Sequence, residues 1–293
     1  MDSLAAGERE SQSRANSVLR AVAAVEQELA ASVGLYVRDV DSGELITHSA
    51  DDRFPLNSTF KLFACAALLQ RVESGISELE ATVELDERQL IAWSPRIEQL
   101  LEAGRTHATI DELCAAMLSV SDNTAANLIL GEIGGPPEFT RYMRTLGDRT
   151  TRLDRWEPEL TEGLPGDARD TTSPRAIGTS LEALLLGTHL KPSSRAKLQD
   201  WLADHRVADD LFRSVLPENW SIHDRTGAGN HGTRGIVAVI YRPTSGPIVA
   251  AMYMRDANVS IAERNAAIAR VGRAIFVHFG ADYSASSPAF GQP

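Results

Sequence analysis

The sequence predicts an α+β fold: an antiparallel sheet, flanked by helices from both chain ends, with an inserted all-α domain. Strand-like patterns occur near residues 34–47 and again in 236–254, so both ends of the chain contribute strands. The segment between them is richer in helix formers, and 293 residues are enough for about two domains. We therefore expect a discontinuous α/β domain, residues 1–54 with 209–293, and an all-α domain, residues 55–208.

The first elements along the chain are a helix and a hairpin. Apolar residues recur every three to four positions from Val18 to Leu29, which predicts an amphipathic helix. Residues 34–40 then alternate, and Asp41-Ser42-Gly43 supplies turn chemistry before the short run 45–47. We therefore expect two antiparallel strands at this end of the sheet.

The middle of the chain is predicted to hold buried helices and one long loop. Apolar residues lie nearly all round the run from Phe60 to Val72, which is typical of a helix in the centre of a bundle. The run from Leu113 to Leu130 is similar, and Gly134-Gly135-Pro136-Pro137 ends it. Residues 149–174 are too polar for a core, and loops of this length are usually functional or disordered.

The last part of the chain returns to strands and ends in a helix. Residues 236–241 and 248–254 are apolar and flank the turn Pro243–Pro247, which predicts a second hairpin. The run from Ile261 to Phe279 is helix-like. We expect the tail after Asp282 to be frayed.

Composition argues against several classes of partner and cofactor. With 29 basic and 40 acidic residues the net charge is −11, which suits neither nucleic acid nor an anionic membrane surface. No run approaches the ~18–20 apolar residues that a membrane span needs. The seven histidines show no metal-ligand spacing, so we expect no metal and no cofactor. Gly227–Gly232 matches G-x-G-x-x-G, but this pattern opens a strand where dinucleotide binding needs a helix.

The N-terminus and the two cysteines leave alternatives open. Residues 1–10 lack the apolar core of an export signal. Either the protein stays in the cytoplasm, or the chain is a mature form with an added start codon. Cys65 and Cys114 can form one bridge or remain two buried thiols, and composition alone favours the thiols.

One pair of residues has the spacing of an activated nucleophile. In a helix, Ser58 and Lys61 lie on one face, and an amine desolvated by apolar neighbours can take the proton of a serine. The same spacing recurs at Ser194 and Lys197, but in a polar segment where the lysine would stay protonated. An N-cap role is the simpler interpretation of either serine when it is taken alone.

Three further segments support a catalytic role for Ser58 and Lys61. Ser121-Asp122-Asn123 offers a hydroxyl and an amide at a helical segment or its break. Arg155-Trp156-Glu157 lies in the long polar loop, and Asp224-Arg225-Thr226-Gly227 enters an apolar strand. Each has a structural explanation by itself, but chance explains their joint order and separation poorly.

With these segments the chain resembles the class A serine β-lactamases, whose signature is S-x-x-K, S-D-N and K-T-G. The resemblance covers nearly the whole chain and identifies residues of about 152–170 as an omega-like loop. It also implies a disulfide between Cys65 and Cys114, where many members carry one, and therefore an exported protein, periplasmic or secreted.

The resemblance implies the catalytic roles. Ser58 resembles the nucleophile that opens the lactam ring, and Lys61 resembles its neighbour in proton transfer. Glu157 resembles the carboxylate that activates the deacylating water, and the choice between it and Lys61 as acylation base stays open. Ser121 resembles the hydroxyl that passes a proton to the lactam nitrogen, and Asn123 the amide that holds the substrate's side-chain carbonyl.

The remaining implied residues bind substrate or shape the loop. The backbone N–H groups of Ser58 and Ala228 would form the oxyanion hole. The others are Arg225, Thr226 and Arg234 for the substrate carboxylate, Trp93 as an aromatic gate, and Arg155 with Asp170 as the ion pair at the neck of the loop.

Two positions depart from the family pattern. Arg225 stands where lysine is usual, which is similar to the Arg-Thr-Gly carbenicillinases and implies a preference for penicillins that carry an extra carboxylate. A guanidinium can bind a carboxylate through two parallel hydrogen bonds, whereas an ammonium is a point charge. Thr161 stands where an asparagine commonly orients the hydrolytic water, so the deacylation geometry is expected to differ.

Two other functions share part of this pattern. A penicillin-binding transpeptidase or carboxypeptidase has the serine and lysine but no base for fast deacylation, and Glu157 argues against it. A sensor domain acylated by β-lactams would normally be tied to a membrane segment, which this sequence does not show. We therefore expect a monomeric enzyme whose only partners are small β-lactam substrates.

Overall fold

The computed structural model describes residues 2–283, with side chains from residue 15 onward. Its helices are α1 (Asp2–Leu29), α2 (Phe60–Glu73), α3 (Pro95–Glu102), α4 (Ile110–Ser119), α5 (Asn123–Ile133), α6 (Pro136–Thr145), α7 (Pro174–Leu185), α8 (Pro192–Ala203) and α9 (Ile261–His278). Its strands are β1 (Ser32–Asp39), β2 (Leu45–His48), β3 (Phe54–Pro55), β4 (Thr82–Glu84), β5 (His107–Thr109), β6 (Thr171–Thr172), β7 (Ser221–Ala228), β8 (Arg234–Tyr241) and β9 (Ile248–Arg255).

The central sheet has the strand order β2-β1-β9-β8-β7, and all its pairings are antiparallel. The first and last segments of the chain therefore share one sheet, which confirms the predicted α+β fold. Both predicted hairpins are present: β1 pairs with β2, and β8 pairs with β9. Among the described residues, the two-stranded pairs β3–β6 and β4–β5 lie outside this sheet.

The two faces of the sheet bury different partners. Along β8, Ile236, Ala238 and Ile240 pack in one apolar cluster with α1 and α9. The intervening Val237 and Val239 pack in a second cluster with the helices between β3 and β7. This alternation follows from the two-residue period of a strand, and it explains why β8 and β9 are apolar on both faces.

Helix α2 lies in the centre of the helical part, as predicted. Every residue from Phe60 to Leu69 is buried, so the helix is surrounded on all sides. The run over 113–130 is helical as predicted but is divided into α4 and α5, so Ser121-Asp122-Asn123 lies at a helix break, one of the two alternatives that the sequence left open. Ser121 has φ +65°, and the Asp122 carboxylate caps α5 by accepting from the Ala125 amide at 2.8 Å. This break places Ser121 between two helices.

The long loop from 152 to 170 contains only the 3₁₀ turn Glu159–Thr161. Asp170 at its end accepts hydrogen bonds from the backbone amides of Asp154 (2.7 Å) and Arg155 (3.0 Å), and from Arg155 Nε at 2.6 Å. The two ends of the loop are therefore held together by one buried carboxylate.

The disulfide implied by the resemblance is not formed. Cys65 on α2 and Cys114 on α4 are both free and fully buried. The Cys65 sulfur faces the Cys114 carbonyl oxygen at 4.0 Å, and burial raises the pKa of the Cys65 thiol. Within residues 2–283, no helix is long and apolar enough to span a membrane. The tail that was predicted to be frayed lies, after Tyr283, outside the described part of the chain, so the structure does not test this prediction.

Candidate active site

A cavity of about 510 Å³ lies where the end of β7 meets the start of α2 and the break between α4 and α5. Most of the predicted site residues line it. They are Ser58, Trp93, Ser121, Asn123, Thr161, Thr226, Ala228 and Arg234, joined by Val207, Gly227 and Ile261. Lys61, Glu157 and Arg225 are buried and are not in its wall. Lys61 and Arg225 contact residues of the wall, and Glu157 contacts Lys61.

Ser58 lies in the 3₁₀ turn Asn57–Thr59 that leads into α2, and it is 9% exposed. Strand β7 runs directly against this turn. A Cβ atom at Gly227 would lie 2.8 Å from the Ser58 backbone nitrogen and 3.0 Å from the Leu56 oxygen, so only glycine fits there. The backbone of Ser58 and the end of β7 at Ala228 therefore share one wall of the cavity.

Lys61 is fully buried and surrounded by oxygen acceptors. Its Nζ donates to the Ser121 carbonyl oxygen at 2.8 Å, to Ser121 Oγ at 3.3 Å and to Asn123 Oδ1 at 2.6 Å. Glu157 Oε1 lies 3.2 Å from the same nitrogen, and both side chains are fully buried. The structure thus brings together an amine, a carboxylate and a hydroxyl that are far apart in sequence.

Burial lowers the pKa of Lys61 from 10.5 to about 8. Desolvation disfavours the charged form, and the positive charge of Arg225 acts in the same direction. The Glu157 carboxylate offsets part of this effect. At neutral pH the lysine is therefore mostly an ammonium that gives up its proton more readily than an exposed lysine.

Glu157 is held by Asn127, a residue that sequence reasoning missed. Asn127 Nδ2 donates to the Glu157 carbonyl at 2.8 Å, and the Glu157 amide donates to Asn127 Oδ1 at 2.9 Å. Apart from the Lys61 ammonium, no donor among the described residues meets the carboxylate oxygens. Such a carboxylate is able to accept a proton from a water molecule.

The Ser121 segment is anchored by its neighbours. Asp122 Oδ2 accepts from the backbone amides of Arg96 and Ile97, at 2.9 and 3.0 Å, which ties the segment to the start of α3. Trp93 is 63% exposed, has φ +62° and donates from Nε1 to the Val120 carbonyl. Non-glycine residues with positive φ are uncommon, and both Trp93 and Ser121 adopt it at this wall.

Arg225 differs from its expected role in carboxylate binding. It is fully buried and donates from Nη2 to Ser121 Oγ at 2.6 Å and to the Met117 carbonyl at 3.4 Å. Its Nη1 lies 2.7 Å from His205 Nε2. The guanidinium therefore lies behind Ser121, and its terminal nitrogens already have protein partners.

Arg234 is the arginine that lines the cavity. Its Nε donates to Asn265 Oδ1 at 2.8 Å and its Nη1 to the Gly227 carbonyl at 3.1 Å. Burial lowers its pKa to about 10, so it is still cationic at neutral pH. Thr226, also in the wall, has its Oγ1 3.4 Å from the Val207 carbonyl.

The remaining predicted residues fall into two places. Thr161 Oγ1 donates to the Pro158 carbonyl at 2.8 Å, so its hydroxyl proton is directed to the loop backbone and its oxygen can only accept from a ligand. Lys197, in the second serine–lysine pair, forms a partly exposed ion pair with Asp111 at 2.6 Å. Ser194 and Lys197 both belong to α8, and neither lines the cavity.

Sequence reasoning assigned no role to three further polar residues besides Asn127. Asn57 Nδ2 donates to Thr233 Oγ1 at 3.1 Å, which joins the nucleophile turn to the segment before β8. His205 and Asp224 are both fully buried next to Arg225. Asp224 precedes Arg225 in the chain, but no local pattern indicates that His205 meets them.

The chain is similar to known proteins over most of its length. A model of the beta-lactamase enzyme family matches residues 17–279. Beta-lactamase CARB-3 of Pseudomonas aeruginosa is 44% identical over 266 residues, which is 91% of each chain. Beta-lactamase PSE-1 of the same organism is 43% identical over the same length and share of each chain.

Solved structures of other proteins are also similar to this chain over about nine-tenths of its length. The chromosome-encoded beta-lactamase of Vibrio parahaemolyticus has a TM-score of 0.87 and 42% identity, over 90% of this chain and 100% of that chain. An ancestral class A beta-lactamase of Gram-negative bacteria has a TM-score of 0.85 and 42% identity, over 89% of this chain and 99% of that one.

Proposed function

Because this chain belongs to the beta-lactamase enzyme family, class A, we propose that it hydrolyses penicillins, including carbenicillin, through an acyl-enzyme on Ser58. Water activated by Glu157 then releases the product. The observation that carries this proposal is the cluster of the buried Lys61, Glu157 and Ser121 with the half-buried Asn123. Two of its members, Ser121 and Asn123, line the same cavity as Ser58.

In the acylation step, Ser58 Oγ attacks the lactam carbonyl carbon and loses its proton. Lys61 is mostly protonated at neutral pH, since its pKa is about 8. We therefore assign the proton to Glu157, through a water molecule. The backbone N–H groups of Ser58 and Ala228 stabilise the oxyanion. When the C–N bond breaks, Ser121 gives its proton to the lactam nitrogen. Lys61 then gives a proton to Ser121 Oγ and takes the proton that Glu157 holds, so that both Ser121 and the Glu157 carboxylate are restored before deacylation.

In the deacylation step, Glu157 takes a proton from water, and the hydroxide attacks the acyl carbonyl. The tetrahedral intermediate collapses, and the proton returns to Ser58 Oγ. Asn127 supports this step because it holds the backbone of Glu157 from both sides. Thr161 contributes an acceptor lone pair at the cavity wall but no free hydroxyl proton.

A turnover experiment tests the proposed function. We expect nitrocefin and benzylpenicillin to be hydrolysed over many cycles by the wild-type chain, and Ser58→Ala to abolish both the turnover and the covalent adduct seen by mass spectrometry. Ser194→Ala, in the second serine–lysine pair, is the matched control and should behave as wild type. A single stoichiometric burst from the wild type would instead indicate a penicillin-binding protein or a sensor.

We expect a substrate preference for carboxylated penicillins over bulky oxyimino cephalosporins. Arg234 lines the cavity and can bind a substrate carboxylate directly, whereas Arg225 lies behind Ser121 and adds only the attraction of its positive charge. We predict that kcat/KM for carbenicillin exceeds that for ceftazidime by about 10-fold or more. Comparable values for the two substrates would contradict this prediction.

The pH dependence of kcat/KM distinguishes the two candidate bases. As pH rises through about 8, Lys61 loses its charge and leaves the buried Glu157 carboxylate without a counter-charge. An unpaired negative charge disfavours both the oxyanion and a bound substrate carboxylate. We therefore predict that kcat/KM falls as pH rises through this value. A rise there would favour neutral Lys61 as the acylation base.

We further propose the organisation and location of the working enzyme. Residues 1–54 with 209–293 and residues 55–208 are proposed as two domains, and one chain supplies both sides of the cavity, which supports a monomer. A periplasmic or secreted location is proposed from the resemblance to exported enzymes. Light scattering of the purified protein and fractionation of expressing cells test the two proposals.

A further inference from the structure

His205 lies in a buried chain of polar groups that ends at Ser121. Its side chain is fully buried, with Nε2 2.7 Å from Arg225 Nη1 and Nδ1 3.4 Å from Asp224 Oδ1. Arg213 donates to the same Asp224 oxygen from Nη2 at 2.6 Å and from Nε at 2.9 Å. Arg225 in turn donates from Nη2 to Ser121 Oγ at 2.6 Å.

The hydrogen bond with Arg225 determines the protonation of His205. A guanidinium has only donors, so Nε2 of His205 must offer its lone pair. The imidazole proton is then on Nδ1, the nitrogen that faces Asp224. Only the neutral ring in this one tautomer fits the arrangement, since a protonated ring would point an N–H group at the Arg225 donor.

The position of Arg225 controls what Ser121 can do. Ser121 Oγ accepts from Arg225 at 2.6 Å and from Lys61 at 3.3 Å. Because both lone pairs of the oxygen face cations, the hydroxyl proton of Ser121 points to neither of them. Ser121 lines the cavity, so the cavity is the side to which this proton can be directed. Two positive neighbours also favour release of that proton.

We propose that His205 is a positioning residue for the reaction: as a neutral acceptor it holds Arg225 against Ser121, so that the Ser121 proton is kept for the leaving nitrogen. This inference rests on the proposed function and deepens it. His205 itself touches neither the substrate nor the reacting atoms. It acts on acylation, and it does not act on the water that Glu157 activates.

The same arrangement makes acylation sensitive to acid. Desolvation lowers the pKa of His205 below 6.5, and the charges of Arg225 and Arg213 act in the same direction against the opposing Asp224. The ring is therefore neutral at neutral pH. When pH falls through the lowered pKa, Nε2 gains a proton, two donors face each other, and Arg225 is displaced from Ser121.

Two substitutions in the full chain test this proposal. In His205→Gln the amide oxygen reaches the place of Nε2 and stays an acceptor at every pH, whereas His205→Leu fills the space without an acceptor. For His205→Leu we expect the acylation rate, measured by rapid mixing with nitrocefin, to fall about 10-fold or more, with little change in deacylation. For His205→Gln we expect near wild-type acylation at pH 7.5 and a shift of the acid limb of kcat/KM to lower pH.

A second background separates positioning from mere packing. If His205 acts through Ser121, His205→Leu should have little further effect on acylation in a Ser121→Ala enzyme, whereas a packing role would lower the rate in both backgrounds. His189→Gln is the matched control, because His189 contacts Gln70 and Tyr142 in the helical part, and it should change neither rate nor pH profile.

Three results would overturn the inference: wild-type acylation by His205→Leu, an unchanged acid limb in His205→Gln, or equal losses from His205→Leu in both backgrounds. If His205→Leu does not fold, the comparison of the acid limb of kcat/KM between His205→Gln and the wild type tests the inference by itself. Failure of the wild type to turn over nitrocefin would refute the proposed function itself, whereas turnover with indifferent His205 variants would refute only this inference.

Discussion

Replacing Glu157 with glutamine will convert the enzyme from a catalyst into a protein that is acylated once. Glutamine keeps the volume of the buried side chain but cannot accept a proton from water, so deacylation should slow by about 10²–10⁴-fold. Acylation persists at a reduced rate, because loss of the Glu157 charge lowers the pKa of Lys61 further and leaves more neutral amine. We expect a burst of one product per enzyme and an acyl-enzyme that mass spectrometry detects.

The control for this experiment is in the same loop. Glu159 is exposed, and Glu159→Gln makes the same chemical change without touching Lys61. It should keep steady-state turnover within about 3-fold of wild type. Undiminished turnover by Glu157→Gln would mean that another group activates the water, and the assigned hydrolytic mechanism would be wrong.

Replacing Gly227 with alanine will have the second large effect. The added methyl would lie 2.8 Å from the Ser58 nitrogen and 2.9 Å from Asn57 Cβ, so β7 and the nucleophile turn must separate. The proposed oxyanion hole would use N–H groups from both sides of this contact, and losing one such donor typically costs about 10²–10³-fold in kcat. We expect a loss of that order in kcat, measured with benzylpenicillin.

Gly131→Ala is the matched control for this substitution. Gly131 lies in α5, and a Cβ atom there meets no other atom within 4 Å. Alanine should therefore leave turnover unchanged and stabilise the helix by up to about 1 kcal/mol, measured by urea unfolding. If Gly227→Ala retains wild-type kcat, the close approach of β7 to Ser58 does not hold the oxyanion hole.

Much of the fold could be predicted because the chain carries strong local patterns. The spacing of Val18, Val22 and Val25 predicts the buried face of α1, and all three are fully buried. The apolar runs of β8 and β9 predict strands buried on both faces. The break between α4 and α5 was left as one of two alternatives at Ser121–Asn123, because the positive φ of Ser121 occurs without a glycine or proline that would indicate it in the sequence.

The candidate site was predictable only in part. The motifs named Ser58, Ser121 and Asn123, which line the cavity, and Lys61, buried behind it, and the family resemblance added Arg234. They also named Arg225 as a ligand for carboxylate, but its guanidinium is buried and bonded to Ser121. The expected disulfide is not formed: Cys65 and Cys114 are buried neighbours but remain free thiols, because packing two cysteines close together does not by itself form the bond.

The sequence by itself determined the order of the elements, the pairing of the chain ends in one sheet and the types of reactive residue. These follow from local periodicity and turn chemistry, which act between residues close along the chain. Only the tertiary structure decided that Asn127 holds Glu157, that glycine is required at 227, and that His205 meets Arg225. Such contacts join residues that are 20 to 170 positions apart. They depend on the path of the segments in between, so no local pattern in the sequence indicates them.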